Sequence, residues 1–374
     1  MTVDFLSSQK EDASSLDPFT RLENLELHFK YYEERYWKLV LPLIRQNPGL
    51  ISFKIVNESD GPKHLLRTLS SYCPKIKAFE TDTATLYVND LEQFLRETSS
   101  RLETLIIKYA EIYDPFSHST HIKLKLPQQF PNMKKLRIEA NIAPAQQIDF
   151  LKRCPNIANV EIFTNRKETT PADALCELIE KNCQQARKLE LEDCSLSDAQ
   201  FAKAIDSCQS KLTSASFLGT KFGPQALESL LGQHANNLTV LNLMMCNSIS
   251  SAMNLQILTS CPNLVDFHGT SLMAQDILGI PEGSDLEAAG EQDSPLIQPP
   301  KWACNNIQHL KVFIRGLYKK PAHWHRLVFQ QLAKLENSKN WTSAPMLRRF
   351  TTALCRTEEQ EKALICDLST EWMP

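Results

Sequence analysis

Glycine is scarce in this chain, at 10 of 374 residues. Dinucleotide-binding folds and P-loop nucleotide sites need clustered glycines, so the sequence argues against both classes. No apolar run approaches the roughly 18 residues that suggest a membrane span, and Met1–Ser8 lacks the basic and apolar segments of a secretory signal peptide. With 41 basic and 44 acidic residues, the net charge of −3 gives no general attraction to nucleic acid or anionic lipid.

The sequence also lacks the motifs of the common catalytic and metal sites. It has no Cys-x-x-Cys, His-Glu-x-x-His, Gly-x-Ser-x-Gly or Gly-x-x-x-x-Gly-Lys motif. Two close histidine pairs, His118 with His121 and His323 with His325, have no cysteine or carboxylate companions at ligand spacing. We interpret them as surface or packing residues, and we expect no enzyme activity, no bound metal and no cofactor.

Eleven cysteines are present, an odd number spread along the chain rather than clustered. Without a secretory signal, a disulfide framework is a poorer interpretation than small buried thiols kept reduced. The sequence therefore predicts a cytoplasmic or nuclear location, or both.

A short leucine pattern is the strongest positive feature of the chain. In Ala186–Ser197, Leu189 and Leu191 are spaced as on one face of a strand, while Cys194 and Leu196 fit a turn tucked beneath it. The following Ser-Asp-Ala-Gln has the pattern of a capping box, and the apolar residues after it recur at helical spacing. The stretch predicts one strand–turn–helix unit.

This unit recurs along the chain. Steps of 26 residues lead from Ala186 to Leu212, from Leu212 to Leu238 and from Leu238 to Leu264. Similar strand starts, at less even spacing, are found near Leu22, Leu50, Ile76, Leu102, Met133, Ile157 and Ile307. A period of roughly 20–29 residues is typical of leucine-rich repeats. The sequence predicts an α/β fold, a leucine-rich-repeat solenoid or horseshoe with parallel strands on the concave face and helices on the convex face.

Composition divides the chain around these repeats. We expect residues 1–18 to be a disordered leader and residues 19–335 to be a solenoid of about eleven repeats. Within the solenoid, residues 279–302 are acidic and rich in proline and glycine, which predicts a disordered loop insertion. Residues 336–374 lack the strand pattern, and Met346–Leu368 has helical spacing, so we expect a helical C-terminal tail.

The residues that alternate with the strand leucines face away from the core and form the candidate protein-binding surface. Those selected are Phe163, Glu190, Glu192, Leu218, Asn242, Met244, His268, Lys311 and Phe313. Leu218, Met244 and Phe313 are apolar on a solvated face, which favours a protein partner. Two alternatives are open: these residues contact the acidic loop or the C-terminal tail, or the alternation is shifted by one residue.

The repeats resemble those of the F-box/leucine-rich-repeat family, especially its large fungal sets. The resemblance depends on the Cys-Pro starts at Cys73, Cys154 and Cys261 and on Leu189–Asp198. Trp302–Leu310, with Gln330–Leu332 downstream, is similar to the terminal segment of the fungal members. The resemblance covers roughly Leu22–Leu335. It implies that the chain is the substrate-recognition component of an SCF-type ubiquitin ligase. In that family the F-box binds the ligase adaptor and the horseshoe binds the target.

The F-box itself is expected to be absent, because it needs a helical module before the repeats and the first strand begins near Leu22. The chain is then either a fragment or truncated gene model, or a free-standing repeat protein; an adaptor is a partner if an F-box exists upstream. The alternative function is a GTPase-activating regulator of a small GTPase, using Arg137 or the charged residues between Glu80 and Glu192. In both cases we expect a monomer that binds a protein on the concave face, and neither nucleic acid nor membrane.

Overall fold

A computed structural model of the chain shows strands and helices in alternation. It describes residues 2–5, 21–29, 34–57, 64–82, 85–116, 121–163, 171–280, 300–304, 306–317, 322–333, 349–354 and 366–368. The chain divides into two compact units, Met1–Ala186 and Arg187–Pro374. None of the helices in these described ranges has the length and apolar character needed to cross a membrane.

The first unit contains strands and helices with the following bounds: β1 Thr2–Phe5, β2 Asn24–Phe29, α1 Glu34–Gln46, β3 Ser52–Asn57, α2 Leu65–Tyr72, β4 Ala78–Asp82, β5 Thr85–Tyr87, α3 Val88–Thr98, β6 Thr104–Tyr113, β7 Lys135–Ala140, α4 Pro144–Lys152, β8 Asn159–Phe163 and α5 Ala172–Asn182. The strands pair in parallel in the order β1-β2-β3-β4-β6-β7-β8. Strand β5 pairs separately with the second half of β6.

The second unit repeats the same plan. Its elements are β9 Lys188–Glu192, α6 Asp198–Asp206, β10 Ser214–Ser216, α7 Pro224–His234, β11 Val240–Asn242, α8 Ser251–Ser260, β12 Asp266–Met273, α9 Ala274–Leu278, β13 His309–Arg315, α10 Ala322–Ala333, β14 Arg349–Leu354 and β15 Cys366–Leu368. Strands β9 to β14 pair in parallel in sequence order, and β15 is antiparallel to β14. Successive helices pack on one another. The predicted α/β leucine-rich-repeat solenoid is therefore confirmed.

The core lies between the strands and the helices of each unit. Leucines of the repeat pattern, such as Leu189, Leu241 and Leu310, are at most 1 % exposed. In the second unit Phe201, Phe217 and Phe222 form a buried aromatic cluster, with ring centroids 4.6–6.2 Å apart. Burying one such side chain stabilises a fold by about 1.5–3 kcal/mol, so the repeats are held together mainly by this apolar layer.

The turn after each strand follows the leucine pattern closely. Cys194 and Leu196 are buried beneath the turn, as predicted. The backbone adopts positive φ at Asp193, Gly219 and Met245, at 52°, 70° and 60°. This left-handed turn sends the chain from the strand toward the helix layer.

The capping box predicted at the start of α6 is also confirmed. The Ser197 side chain accepts a hydrogen bond from the Gln200 backbone N–H, and the Gln200 side chain accepts one from the Ser197 backbone N–H. Two N–H groups that the helix leaves without an internal partner are thereby satisfied.

A Pro-Asn pair before a strand links neighbouring repeats at three places. At Pro155 and Pro262 the pair follows a helix, and the proline disfavours helical conformation in the residue before it. Pro131 follows an irregular segment instead. The asparagine donates a hydrogen bond to a backbone carbonyl of the preceding repeat: Asn132 to Ser100 at 2.6 Å, Asn156 to Pro131 at 2.8 Å and Asn263 to Asn236 at 2.7 Å. These side chains supply a polar bond across the three junctions.

Two predictions about chain segments need correction. Thr2–Phe5 form strand β1, with Val3 opposite Leu27 of β2, so the expected disorder of residues 1–18 is wrong for these four. The open edge of β2 offers unpaired backbone groups to such a strand; residues 6–18 lie outside the described set. The expected helix at Met346–Leu368 is wrong at β14 and β15, where Phe350 pairs with Leu310 of β13. Aromatic and β-branched residues suit this sheet edge.

The disorder expected over residues 279–302 is wrong at both ends of that range. Gly279 and Ile280 close helix α9, and Ile280 is 7 % exposed. At the other end, Trp302 is 8 % exposed and its indole Nε1 donates to the Gln331 carbonyl at 3.2 Å. Burial of these two apolar side chains holds the loop ends in the fold; residues 281–299 lie outside the described set.

Candidate functional site

Alternation along the strands places the predicted surface residues outward, as expected. In β9, β11, β12 and β13 the apolar residues of the repeat are buried, and Glu190, Asn242, His268 and Lys311 between them are partly exposed. A shift by one residue would reverse this pattern. The alternative phase is therefore excluded in these strands.

The same rule places further residues on this surface that the leucine pattern did not select. Ser214, Val240, Asp266 and His309 precede the first buried residue of their strands and are partly exposed. Period-two alternation could have found them, because the residues on both sides of a buried strand position face outward. Phe163, at the end of β8 in the first unit, has a side chain outside the described set.

In the second unit the parallel register aligns the outward residues in rows across the strands. One row is Glu190, Ser216, Asn242, His268 and Lys311, in which each residue is opposite the next. Two residues after Ser216, Asn242 and Lys311 in the sequence come Leu218, Met244 and Phe313, respectively. We call the outward surface formed by these rows, from β9 to β13, the strand face.

The carboxylates of Glu190 and Asp266 on the strand face have nitrogen partners within it. Lys188 Nζ is 2.8 Å from Glu190 Oε1. Asp266 lies between two histidines, with Oδ1 3.1 Å from His268 Nε2 and Oδ2 3.7 Å from His309 Nδ1. The hydrogen bond from His268 lowers the pKa of Asp266, against the effect of its partial burial. Each of these carboxylates is therefore already engaged within the face.

The ammonium of Lys311 differs from the paired groups above because it has no partner of opposite charge among the described residues. Its side chain is partly exposed between Phe313 and His309 along β13, and it makes no ion pair within the described residues. Because a lysine ammonium is strongly hydrated when exposed and has three donors, it is ready to pair with an incoming carboxylate.

The middle of the strand face is lined with small polar residues. Ser216 is 5 % exposed and its hydroxyl donates to Glu192 Oε1 at 2.7 Å. Asn242 Oδ1 accepts from the Met244 backbone N–H at 3.1 Å, which fixes the orientation of the amide. Its Nδ2 group makes no hydrogen bond within the described residues and remains a donor at the surface.

One end of the strand face is apolar. Leu218, Met244 and Phe313 are partly exposed, and Met245 beside them is 57 % exposed. Exposed apolar side chains on the same face as polar groups are typical of a surface that binds protein.

Arg137 in the first unit is not presented to a partner. Its guanidinium contacts the carboxylates of Glu139 and Glu161, the latter at 3.4 Å. The Arg137 side chain is 19 % exposed, and that of Glu161 is 1 % exposed. An arginine that completes a GTPase site must extend into it, so this geometry gives no support to that role.

The described residues offer no sign of a nucleophilic thiol or a metal centre. Within them, no group of three or more His, Cys, Asp and Glu side chains is arranged to hold a metal ion. Burial raises the pKa of Cys73 to about 11, and that of Cys154, Cys208, Cys261 and Cys304 to about 12. These thiols stay protonated at neutral pH and pack as apolar residues.

No protein-family model matches the chain, and no curated protein matches it. Solved structures that match include a chain from the crystal structure of the Rad7 and Elc1 complex in yeast. That match has a TM-score of 0.47 and 16 % sequence identity, and it covers 69 % of this chain and 72 % of that one.

Proposed function

We propose that the chain is a non-catalytic recognition module whose strand face binds another protein. The observation that supports this proposal most directly is the combination, on one sheet face, of the ammonium of Lys311, the donor Nδ2 of Asn242 and the exposed apolar side chains near Met244. A protein partner satisfies all three, because protein interfaces combine apolar contacts with hydrogen bonds and a few charges.

The proposal is tested by affinity purification with in-cell crosslinking, using the full chain as bait. Asn242→Arg places a long charged side chain in the middle of the strand face. Glu228→Arg is the matched control, because Glu228 is exposed on helix α7, away from the strands. We expect partners that are recovered with the wild type and the control but lost with Asn242→Arg, while the melting temperature stays unchanged.

Equal recovery with all three baits, or recovery lost only with the control, contradicts the assignment of the binding surface. A partner that passes the comparison is then mixed with the purified chain, and its dissociation constant is measured for each variant. One well-placed arginine at the centre of an interface is expected to weaken binding by about 2 kcal/mol or more.

More specifically, we propose that the chain serves a ubiquitin ligase of the SCF type as its substrate-recognition component, or is a truncated relative of such a component. Support for this comes from the resemblance of Cys73, Cys154 and Cys261 with their following prolines to the repeats of that family. Cys73, Cys154, Cys208, Cys246, Cys261 and Cys304 are free thiols, which suits a reducing compartment such as the cytoplasm or nucleus.

The ligase proposal has its own experiment. The purified chain, and a version carrying any upstream exon, are titrated with the SCF adaptor subunit by calorimetry, and the partner found above is tested for ubiquitylation in the reconstituted ligase. We expect adaptor binding by at least the longer version. If neither version binds the adaptor, the ligase role is wrong while the recognition surface is unaffected. Arg137, which is held by Glu139 and Glu161, gives the GTPase-activating alternative no support.

A further inference from the structure

We infer that the strand face binds an extended segment of its partner that runs across the strands. Asn242 donates to a backbone carbonyl of this segment. An acidic side chain about three residues away along the segment pairs with Lys311. This inference rests on the proposed function and specifies its ligand.

The extended conformation follows from the donor on Asn242. Its amide is oriented by the bond from the Met244 N–H to Oδ1, which leaves Nδ2 without a partner among the described residues. In a helix most backbone carbonyls already accept internal hydrogen bonds, whereas an extended segment has carbonyls to offer. The hydroxyl of the neighbouring Ser216 is already bonded to Glu192, so it does not compete with Asn242 for the carbonyl of the segment.

The spacing follows from the register. Asn242 pairs with His268, and His268 with Lys311, so Asn242 and Lys311 are two strands apart in the same row. Adjacent strands are about 4.8 Å apart and an extended chain rises about 3.3 Å per residue, so the two contacts are separated by about three residues of ligand.

The acidic residue follows from the charge balance. Lys188 is paired with Glu190 and Asp266 with two histidines, whereas Lys311 makes no ion pair in the described part of the chain. A carboxylate is the protein group that pairs best with an ammonium. A nucleic acid is a poor fit, because Lys188 on the same face is already paired with Glu190, and the single ammonium of Lys311 does not neutralise a line of phosphates. Met244 and Phe313 beside the polar row favour an apolar residue next to the acidic one.

The experiment uses a displayed library of random 12-residue peptides, selected on the full chain. We expect enrichment of Asp or Glu next to an apolar residue. A synthetic peptide with the enriched sequence is expected to lose about tenfold in affinity for Lys311→Glu and about fivefold for Asn242→Ala, since a hydrogen bond to a charged group is worth more than a neutral one. Lys203→Glu is the matched control, because Lys203 is exposed on helix α6, and should leave affinity unchanged.

A charge swap makes the test specific. Replacing the acidic residue of the peptide by lysine should abolish binding to the wild type and restore binding to Lys311→Glu. Peptides that depend on Asn242 but show no acidic preference, or no swap, overturn the inference and leave the recognition surface in place. A selection in which no peptide is enriched also overturns it, because an extended segment is then not sufficient for binding; the crosslinking comparison above decides the recognition surface independently.

Discussion

Asn242 and Lys311 reach the surface by the same rule of alternation that buries Leu241 and Leu310. At the scale of single residues this rule is reliable because a strand has two faces and one of them is covered by the helices. What the rule does not give is the hydrogen-bonding state of each outward residue. In Asn242, the amide oxygen Oδ1 accepts a hydrogen bond from the Met244 backbone N–H, and this bond turns the donor group Nδ2 toward the surface.

His234 is a buried residue whose protonation should weaken the fold. It is 1 % exposed, its Nδ1 accepts from the Leu212 N–H at 3.3 Å, and burial lowers its pKa below the usual 6.5. The stability provided by the neutral ring is therefore present above about pH 6.5 and is lost as the pH falls below it. We expect the free energy of unfolding to fall from pH 7 to pH 5 through this residue, because the unfolded chain binds the proton more tightly than the buried ring does.

Urea unfolding at pH 7, 6 and 5 measures the effect against His234→Gln, which cannot titrate. The variant is expected to start less stable and to lose less over the same interval. Parallel pH curves for the two proteins contradict the prediction, because the remaining histidines titrate in both.

Met245 holds a left-handed backbone conformation that the corresponding residue of the preceding repeat, Gly219, adopts without a side chain. An L-residue in this region costs about 1–2 kcal/mol, and glycine has an unfolded-state entropy cost of about 0.5–1 kcal/mol. We expect Met245→Gly to be about 0.5–1 kcal/mol more stable than Met245→Ala, measured by chemical denaturation. Both variants lose the side chain, so a difference of the opposite sign refutes the strain argument.

At the scale of elements, neighbouring helices are joined by side chains that cap them. Asp198, in the first turn of α6, accepts from the backbone N–H groups of Gly223, Gln225 and Ala226 at 2.8, 3.0 and 3.0 Å. These are groups at the start of α7 that the helix itself leaves unbonded. Gly223 is required by this approach, because a Cβ there would lie 2.8 Å from Asp198 Oδ2.

Asp198→Ala removes all three bonds and should lower the free energy of unfolding by about 2 kcal/mol. The matched control is Asp206→Ala in the same helix, whose carboxylate accepts from the exposed Gln233 side chain at 2.8 Å. This control should cost less than about 0.5 kcal/mol. Equal losses in the two variants, measured by urea unfolding, would show that the bonds to α7 add nothing to stability.

The elements were predictable from sequence to the extent that their signals are local. The leucine pattern of Ala186–Ser197 predicted a strand, a buried turn and a capped helix, and the structure contains all three. Strands β14 and β5 were missed because each is formed by pairing with an edge supplied from elsewhere in the chain. The helical spacing of Met346–Leu368 is a weak local preference, and the open edge of β13 overrides it.

The candidate site was predictable in position and only partly in chemistry. The leucine pattern selected Lys311 and Glu190 alike as outward charges. In the structure Glu190 is bound to Lys188, whereas Lys311 makes no ion pair among the described residues. This difference depends on side-chain rotamers and on which charged residues the neighbouring strands bring close. A single sequence predicts which side chains of a strand face outward. Which of the outward charges pair with each other depends on the register of several strands.

At the scale of the whole molecule, the reactivity of the cysteines tests whether reagents can reach the core of each unit in the folded protein. The nine cysteines among the described residues are buried, and burial raises the pKa of several of them to about 11 or 12. Since the thiolate is the reactive form, we expect these nine to react with a thiol reagent only as the units unfold.

The measurement is native-state labelling followed by mass spectrometry. Fast labelling is expected at no cysteines other than Cys355 and Cys366, whose side chains lie outside the described set. The double variant Cys355→Ser with Cys366→Ser should then show no fast labelling. Fast modification of Cys73 or Cys261 in the folded protein contradicts the prediction.

The Pro-Asn bond has a consequence for how such a chain can change in evolution. Asn132, Asn156 and Asn263 each bond to a main-chain carbonyl, which any amino acid provides. A gene duplication or deletion that adds or removes one complete period leaves every surviving asparagine with an acceptor from its new neighbour. The array can therefore lengthen or shorten by whole periods without a compensating mutation at the join, and the width of the binding surface can vary independently of its chemistry.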